Sequence, residues 1–112
     1  CPACKRPVKP NLGLLPEGAL ERLGLADGEF CEPVGCDQCH NMGYRGRSAI
    51  QEILIPAEGV QEAVMGQDLD RIREAAQTNG MRTLFEDGLR YAAKGITSLT
   101  EVARVASTTR FE

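Results

Sequence analysis

The two halves of the chain carry different hydrophobic patterns. Beyond residue 57, apolar residues recur three and four apart, the spacing that lines one face of a helix. Ala57 to Met65 predicts a short helix stopped at Gly66. Asp68 stands where it can cap a second helix, with Leu69, Ile72 and Ala76 on one stripe and Gly80 at its end. Thr83 and Glu86 have capping-box spacing ahead of Leu84, Leu89 and Ala92, and Gly95 closes that run. Ser98 and Glu101 repeat the device for a last helix through Leu99, Val102 and Val105. The polar tail from Ser107 to Glu112 predicts a frayed end. Residues 57–112 therefore read as a bundle of about four short helices.

The first half has little such periodicity. Pro16 opens a helix over Glu17 to Leu25, with Leu20 and Leu23 apolar and Gly24 fraying its end. Residues 26–35 read as a turn and a short extended piece. Gly43-Tyr44-Arg45-Gly46-Arg47 marks a tight turn with close backbone approach. Ser48 to Ile55 follows, rich in isoleucine and stopped by Pro56, and predicts a strand. Ala49, Ile53 and Ile55 share one face of it, while Ile50, Glu52 and Leu54 share the other. The remaining strands of its sheet are expected elsewhere. The fold class is α+β.

What organises the first half is cysteine. Cys1-Pro2-Ala3-Cys4 and Cys36-Asp37-Gln38-Cys39 are two C-x-x-C pairs separated by 31 residues. Two such pairs brought together set four thiolates around one tetrahedral metal, normally Zn²⁺, in a closed site that is structural. The gap exceeds the commonest zinc-ribbon spacing, but loop closure grows only logarithmically with length, so the longer insert costs well under ~1 kcal/mol. Iron is the minor variant of the same ligand set. A redox reading of Cys1 and Cys4 needs a preceding strand and a following helix N-terminus, and Pro10 stands against the helix. Cys31 forms no C-x-x-C pair and reads as a packed or free thiol. His40 follows Cys39 directly, and a Cys₃His site would need it, but four well-spaced thiols leave it no vacancy. Lys5, Arg6 and Lys9 sit behind the first pair, where they serve either as partners for a doubly negative thiolate centre or as solvated charges.

Composition narrows the classes. Tryptophan is absent and aromatics make up 4%, so the core of this 112-residue chain is lean and gains from a metal staple. A net charge of −3, with no basic excess in either half, argues against a nucleic-acid binder. No apolar run approaches the ~20 residues of a membrane span. An odd cysteine count in C-x-x-C pairs fits a reducing compartment, so the chain reads as cytosolic. It lacks an initiator Met and opens on a ligand candidate, as a piece of a longer protein would. There is no G-x-x-x-x-G-K-[ST] phosphate loop and no nucleophile constellation around His40, so this stretch by itself is not expected to be an enzyme.

Cys-Pro-x-Cys, a gap of some thirty residues, then Gly35-Cys36-Asp37-Gln38-Cys39 and Gly43-Tyr44-Arg45-Gly46-Arg47 resembles the secretion ATPases, the hexameric motors of type II secretion and type IV pilus assembly. The resemblance continues through Gly80-Met81-Arg82-Thr83-Leu84, Asp87-Gly88 and Gly95 to Val102, and covers nearly the whole chain. Thr97-Ser98-Leu99 leans toward the type II members. Glycine is frequent in the family around Ser48-Ala49, and an acidic residue where Thr100 stands; these departures bear on the subfamily.

The resemblance implies a tetracysteine zinc module at 1–47, inserted in a RecA-like ATPase domain, with a strand at 48–56 joining the core and a C-terminal helical subdomain at 57–112. It implies Zn²⁺ on Cys1, Cys4, Cys36 and Cys39, with ATP and Mg²⁺ only in the full-length parent, whose P-loop, acidic boxes and arginine fingers lie upstream. Implied partners are neighbouring ATPase subunits and an inner-membrane platform protein or cytoplasmic anchor, so the motor would sit at the bacterial inner membrane peripherally, through partners. Lys5, Arg6, Lys9 and Arg45 are candidate contacts. Arg47 reads either as another contact or as a brace between the turn and the core. The rival from another class is a free-standing zinc-ribbon interaction module, possibly linked to nucleic acid.

Overall fold

The computed structural model describes residues 1–57 and 59–106. In chain order the elements are β1 (Arg6–Pro7), α1 (Ala19–Arg22), β2 (Cys31–Glu32), α2 (Val60–Met65), α3 (Leu69–Thr78), α4 (Leu84–Ala93) and α5 (Leu99–Val105), with 3-10 turns at Leu12–Leu14 and Asp37–Cys39. The fold is α+β, as the patterning predicts.

The caps decide where the last three helices begin. Asp68 accepts the N–H groups of Asp70 and Arg71 at the start of α3. Thr83 and Glu86 form the full reciprocal box: the hydroxyl accepts the Glu86 N–H at 3.2 Å and the carboxylate accepts the Thr83 N–H at 3.0 Å. Ser98 accepts the Glu101 N–H at 3.1 Å, but the Glu101 side chain turns to Arg104, so this box is half made. Helix α4 ends in a Schellman motif. Gly95 takes a φ of 73°, and Ile96 N–H donates to the Tyr91 carbonyl at 3.0 Å.

Two helices are shorter than the apolar spacing predicts, each for a glycine. Gly18 takes a φ of 71°, so α1 begins at Ala19 rather than Glu17, and Gly59 takes a φ of 85°, so α2 begins at Val60 rather than Ala57. The strand expected over Ser48 to Ile55 is not formed. A strand exists by pairing with a neighbour, and the described residues offer this segment none. Gln51 N–H donates to the Asp87 carboxylate at 2.9 Å, and Ile53, Leu54 and Ile55 are exposed.

The one sheet among the described residues is a two-stranded antiparallel ribbon, Arg6 opposite Glu32 and Pro7 opposite Cys31. Val8 N–H extends the ladder to the Phe30 carbonyl at 2.9 Å. Phe30 thereby enters the principal core, where Ala19 and Leu20 of α1 meet Phe85, Leu89, Ala92, Ala93, Leu99, Val102 and Ala106. Residues from both ends of the chain share this core. Gly88 lets α4 and α5 close on each other, since a Cβ there would fall 2.7 Å from Val102 Cγ1. Helices α2 and α3 pack on each other instead, burying Val60, Ala63 and Ala76 outside that cluster. Leu69 and Val105, expected on buried stripes, are exposed. The tail from Ser107 to Glu112 lies outside the described residues.

Candidate metal centre

The two cysteine pairs arrive from different structures. Cys1 to Cys4 forms a turn, with Lys5 N–H donating to the Cys1 carbonyl at 3.0 Å, and the chain then enters β1. No helix follows Cys4, so the redox arrangement that needs a helix N-terminus is not built. Cys36 to Cys39 is a 3-10 turn in which Cys36 N–H donates to Cys39 Sγ at 3.3 Å. His40 and Asn41 adopt left-handed backbone just after it, and Asn41 N–H returns to the Cys36 carbonyl at 2.8 Å. His40 is exposed and is not among the clustered ligand atoms.

The four expected ligands converge. All four Sγ atoms lie within 4.8 Å of one another. Cys1 and Cys36 are 3.8 Å apart, Cys4 and Cys39 3.9 Å, and Cys36 and Cys39 3.7 Å. A tetrahedron with Zn–S near ~2.3 Å has edges of about 3.8 Å, so the donor set fits a single ion of that size. The site can hold a metal ion and is compatible with zinc. Cys31 stands apart on β2, half-buried, its Sγ 3.7 Å from the Glu29 carbonyl.

Backbone amides supply the charge compensation. Gly35 N–H donates to Cys4 Sγ at 3.3 Å and Gly43 N–H to Cys39 Sγ at 3.2 Å. Burial pushes the Cys39 thiol up, but the N–H groups of Cys36 and Gly43 and the neighbouring sulfurs outweigh it, bringing the group from 9.0 down to about 6. Cys36 is raised. The Cys39 backbone hydrogen bond favours its thiolate, while burial and the sulfurs of Cys39 and Cys4 together prevail against it. The downward shift at Cys39 favours the thiolate, the form in which a cysteine binds metal. These glycine donors were not singled out from the sequence. The signal was their spacing, one residue before and four residues after a ligand.

Gly43 also explains the tightness of the turn. It takes a φ of 83°, and a Cβ there would fall 2.5 Å from Pro33 Cβ. Its carbonyl accepts the Cys1 backbone nitrogen at 2.7 Å, tying the two pairs together. Tyr44 then reaches Ser98 with a 2.6 Å hydrogen bond between hydroxyls.

Lys5 and Arg6, two of the cations behind the first pair, find other partners than sulfur. Lys5 Nζ donates to the Gly95 carbonyl at 2.9 Å, at the C-terminus of α4 where a cation is favoured. Arg6 pairs with Glu32 across the ribbon. Lys9 is exposed, and Arg45 lies 3.5 Å from Gln38 Oε1. Arg47 is exposed too.

Residues 1–104 match the sequence profile of the family described as type II/IV secretion system protein. The chain belongs to that family. It is similar to the type IV pilus assembly ATPase PilB of Thermus thermophilus, at 42% identity over 108 residues, 91% of this chain and 12% of that protein. To type II secretion system protein E of Aeromonas hydrophila it is 34% identical over 110 residues, 94% of this chain and 21% of that protein. To the PilB of Acinetobacter baylyi it is 37% identical over 111 residues, 96% of this chain and 19% of that protein. The chain therefore spans a fifth or less of most of these family members, and they come from both pilus assembly and type II secretion. No helix among the described residues is long and apolar enough to cross a membrane.

Proposed function

We propose that this chain is the zinc-stabilised C-terminal region of a hexameric secretion ATPase that powers type II secretion or type IV pilus assembly. The observation that carries the reading is the four-sulfur cluster of Cys1, Cys4, Cys36 and Cys39 in a chain of this family. A closed four-thiolate site has no position for water or substrate, so the metal holds structure and does no chemistry. Its weight is large: a structural zinc contributes ~10–16 kcal/mol of apparent binding free energy in small modules. ATP and Mg²⁺ belong to the parent's nucleotide site, upstream of Cys1.

In this reading residues 48–56, with the exposed run Ile53-Leu54-Ile55, are the strand by which the region joins the sheet of the ATPase core. The surface carrying Lys5, Arg6, Lys9 and Arg45 meets a neighbouring subunit, the inner-membrane platform protein or the cytoplasmic anchor. The motor is cytoplasmic and reaches the bacterial inner membrane through those partners. Replacing Cys36 and Cys39 by serine in the parent tests this. Zinc content should fall from one per chain to none, and secretion or pilus extension should fall with it. A zinc-free parent that still assembles its filament would sink the proposal.

A further inference from the structure

A cleft of about 700 Å³ opens between the Gly43–Arg47 turn and the junction of α4 with α5. Its cations come from three parts of the chain: Lys5 behind the first cysteine pair, Arg45 and Arg47 on the turn, and Arg104 on α5. The acidic residue on its wall is Glu101, already held by Arg104. A wall with four cations and one engaged acid stands out on a chain whose net charge is −3. The rest of the lining mixes polar residues (Tyr44, Ser48, Tyr91 and Thr97) with an apolar strip. Ile50, Val102, Ile96 and Val105 contribute to it, and Ile96 and Val105 are 50% and 56% exposed.

We propose that this cleft docks an acidic, amphipathic polypeptide segment from another chain, its carboxylates toward Arg45, Arg47 and Arg104 and its apolar side chains on Ile96 and Val105. The inference rests on the reading that this region meets a partner of the secretion machine, and it names that partner's chemistry. Charge complementarity selects an acidic occupant. The apolar lining selects a polypeptide over a small inorganic anion, because phosphate would leave Ile96 and Val105 in water. Arg47 is the main anchor. Arg45 has only a long contact to Gln38, and Arg104 can share its guanidinium between Glu101 and an incoming carboxylate. Arg6 and Lys9 do not line the cleft, so two of the four contact candidates read from the sequence drop out of this site.

The test uses the full, zinc-loaded protein and a fluorescein-labelled peptide of alternating Glu and Leu, followed by anisotropy. The Glu/Leu probe should bind at least ten-fold tighter than its Gln/Leu counterpart and weaken with added salt. Arg45→Glu with Arg47→Glu should reduce binding more than ten-fold, and Ile96→Gln, which adds no charge, should weaken it through the apolar lining. Arg71→Glu on α3 should leave binding unchanged. Equal binding of the Glu and Gln probes, no effect of the double reversal, or full displacement by inorganic phosphate would each overturn the proposal. Zinc content is measured on every variant. One zinc per chain without probe binding refutes the cleft alone, whereas no zinc in the unaltered protein refutes the metal-stabilised reading beneath it.

Discussion

Tyr44 and Ser98 share a 2.6 Å hydrogen bond that joins the turn after the second cysteine pair to the N-cap of α5. One residue earlier, Gly43 donates its N–H to Cys39 Sγ. A short path of two hydrogen bonds and one peptide link therefore runs from the ligand candidate Cys39 to the start of α5, whose cap lies 54 residues beyond Tyr44 in sequence. The Ser98 hydroxyl serves twice, since it also accepts the Glu101 N–H.

Tyr44→Phe removes only the hydroxyl contact and should destabilise the fold by ~1 kcal/mol. Ser98→Ala removes the cap as well and should cost ~1–2 kcal/mol. In a double-mutant cycle by thermal unfolding the two losses should overlap by about 1 kcal/mol. Strict additivity would mean that the hydroxyls do not interact.

Chelation should loosen the first half before the second. Amide exchange at Gly35 and Gly43, whose N–H groups point at sulfur, should rise first, and exchange at the start of α5 should follow through Tyr44. Cys39→Ser should abolish zinc binding, while Cys31→Ser, outside the sulfur cluster, should keep one zinc per chain. Metal loss from the Cys31 variant would place that thiol in the site after all.

The contrast between those two cysteines shows what could be read from the chain. Ligand spacing and helix caps are local, so Cys36 with Cys39, Asp68, Thr83 with Glu86, and Ser98 all fall where their neighbours in sequence say they should. Long-range facts were not legible. Nothing near Phe30 announces that it will pack with Leu89 and Ala93, and the apolar spacing that marks Val105 as buried is the same spacing that leaves it exposed on a cleft wall. Ser48 to Ile55 has the composition of a strand, but a strand is a property of a pair, and its partner is not among the described residues. The donors to sulfur show only as glycines spaced about a ligand, because an amide carries no side-chain signature.

Glu101 should titrate low. The hydrogen bond from Arg104 is the main cause, with burial opposing and the Arg104 charge adding, and together they hold the carboxyl below its ordinary value of 4.5. A depressed folded value stabilises the fold above the unfolded value and loses that contribution as pH falls through the folded one. The loss therefore belongs below about pH 4.5 and not near neutrality. An NMR titration of the Glu101 carboxyl should show a low midpoint that Arg104→Gln raises. A midpoint unmoved by that substitution would remove Arg104 as the cause.

Gly88→Ala sets helix propensity against packing. At an exposed helical site the change would stabilise by ~0.8–1 kcal/mol. Here the new methyl would enter the α4–α5 contact 2.7 Å from Val102 Cγ1 and 3.2 Å from Cγ2. Val102 is itself buried in the principal core, so it has little room to retreat. Overpacking of this kind costs ~1–3 kcal/mol, which exceeds the propensity gain over most of its range. The variant should unfold at lower temperature than the parent, and Val102→Ala should recover part of the loss when combined with it, although alone it leaves a cavity. If Gly88→Ala instead raised the midpoint, α4 and α5 would have to sit further apart than the shared core of Leu89, Leu99 and Val102 requires.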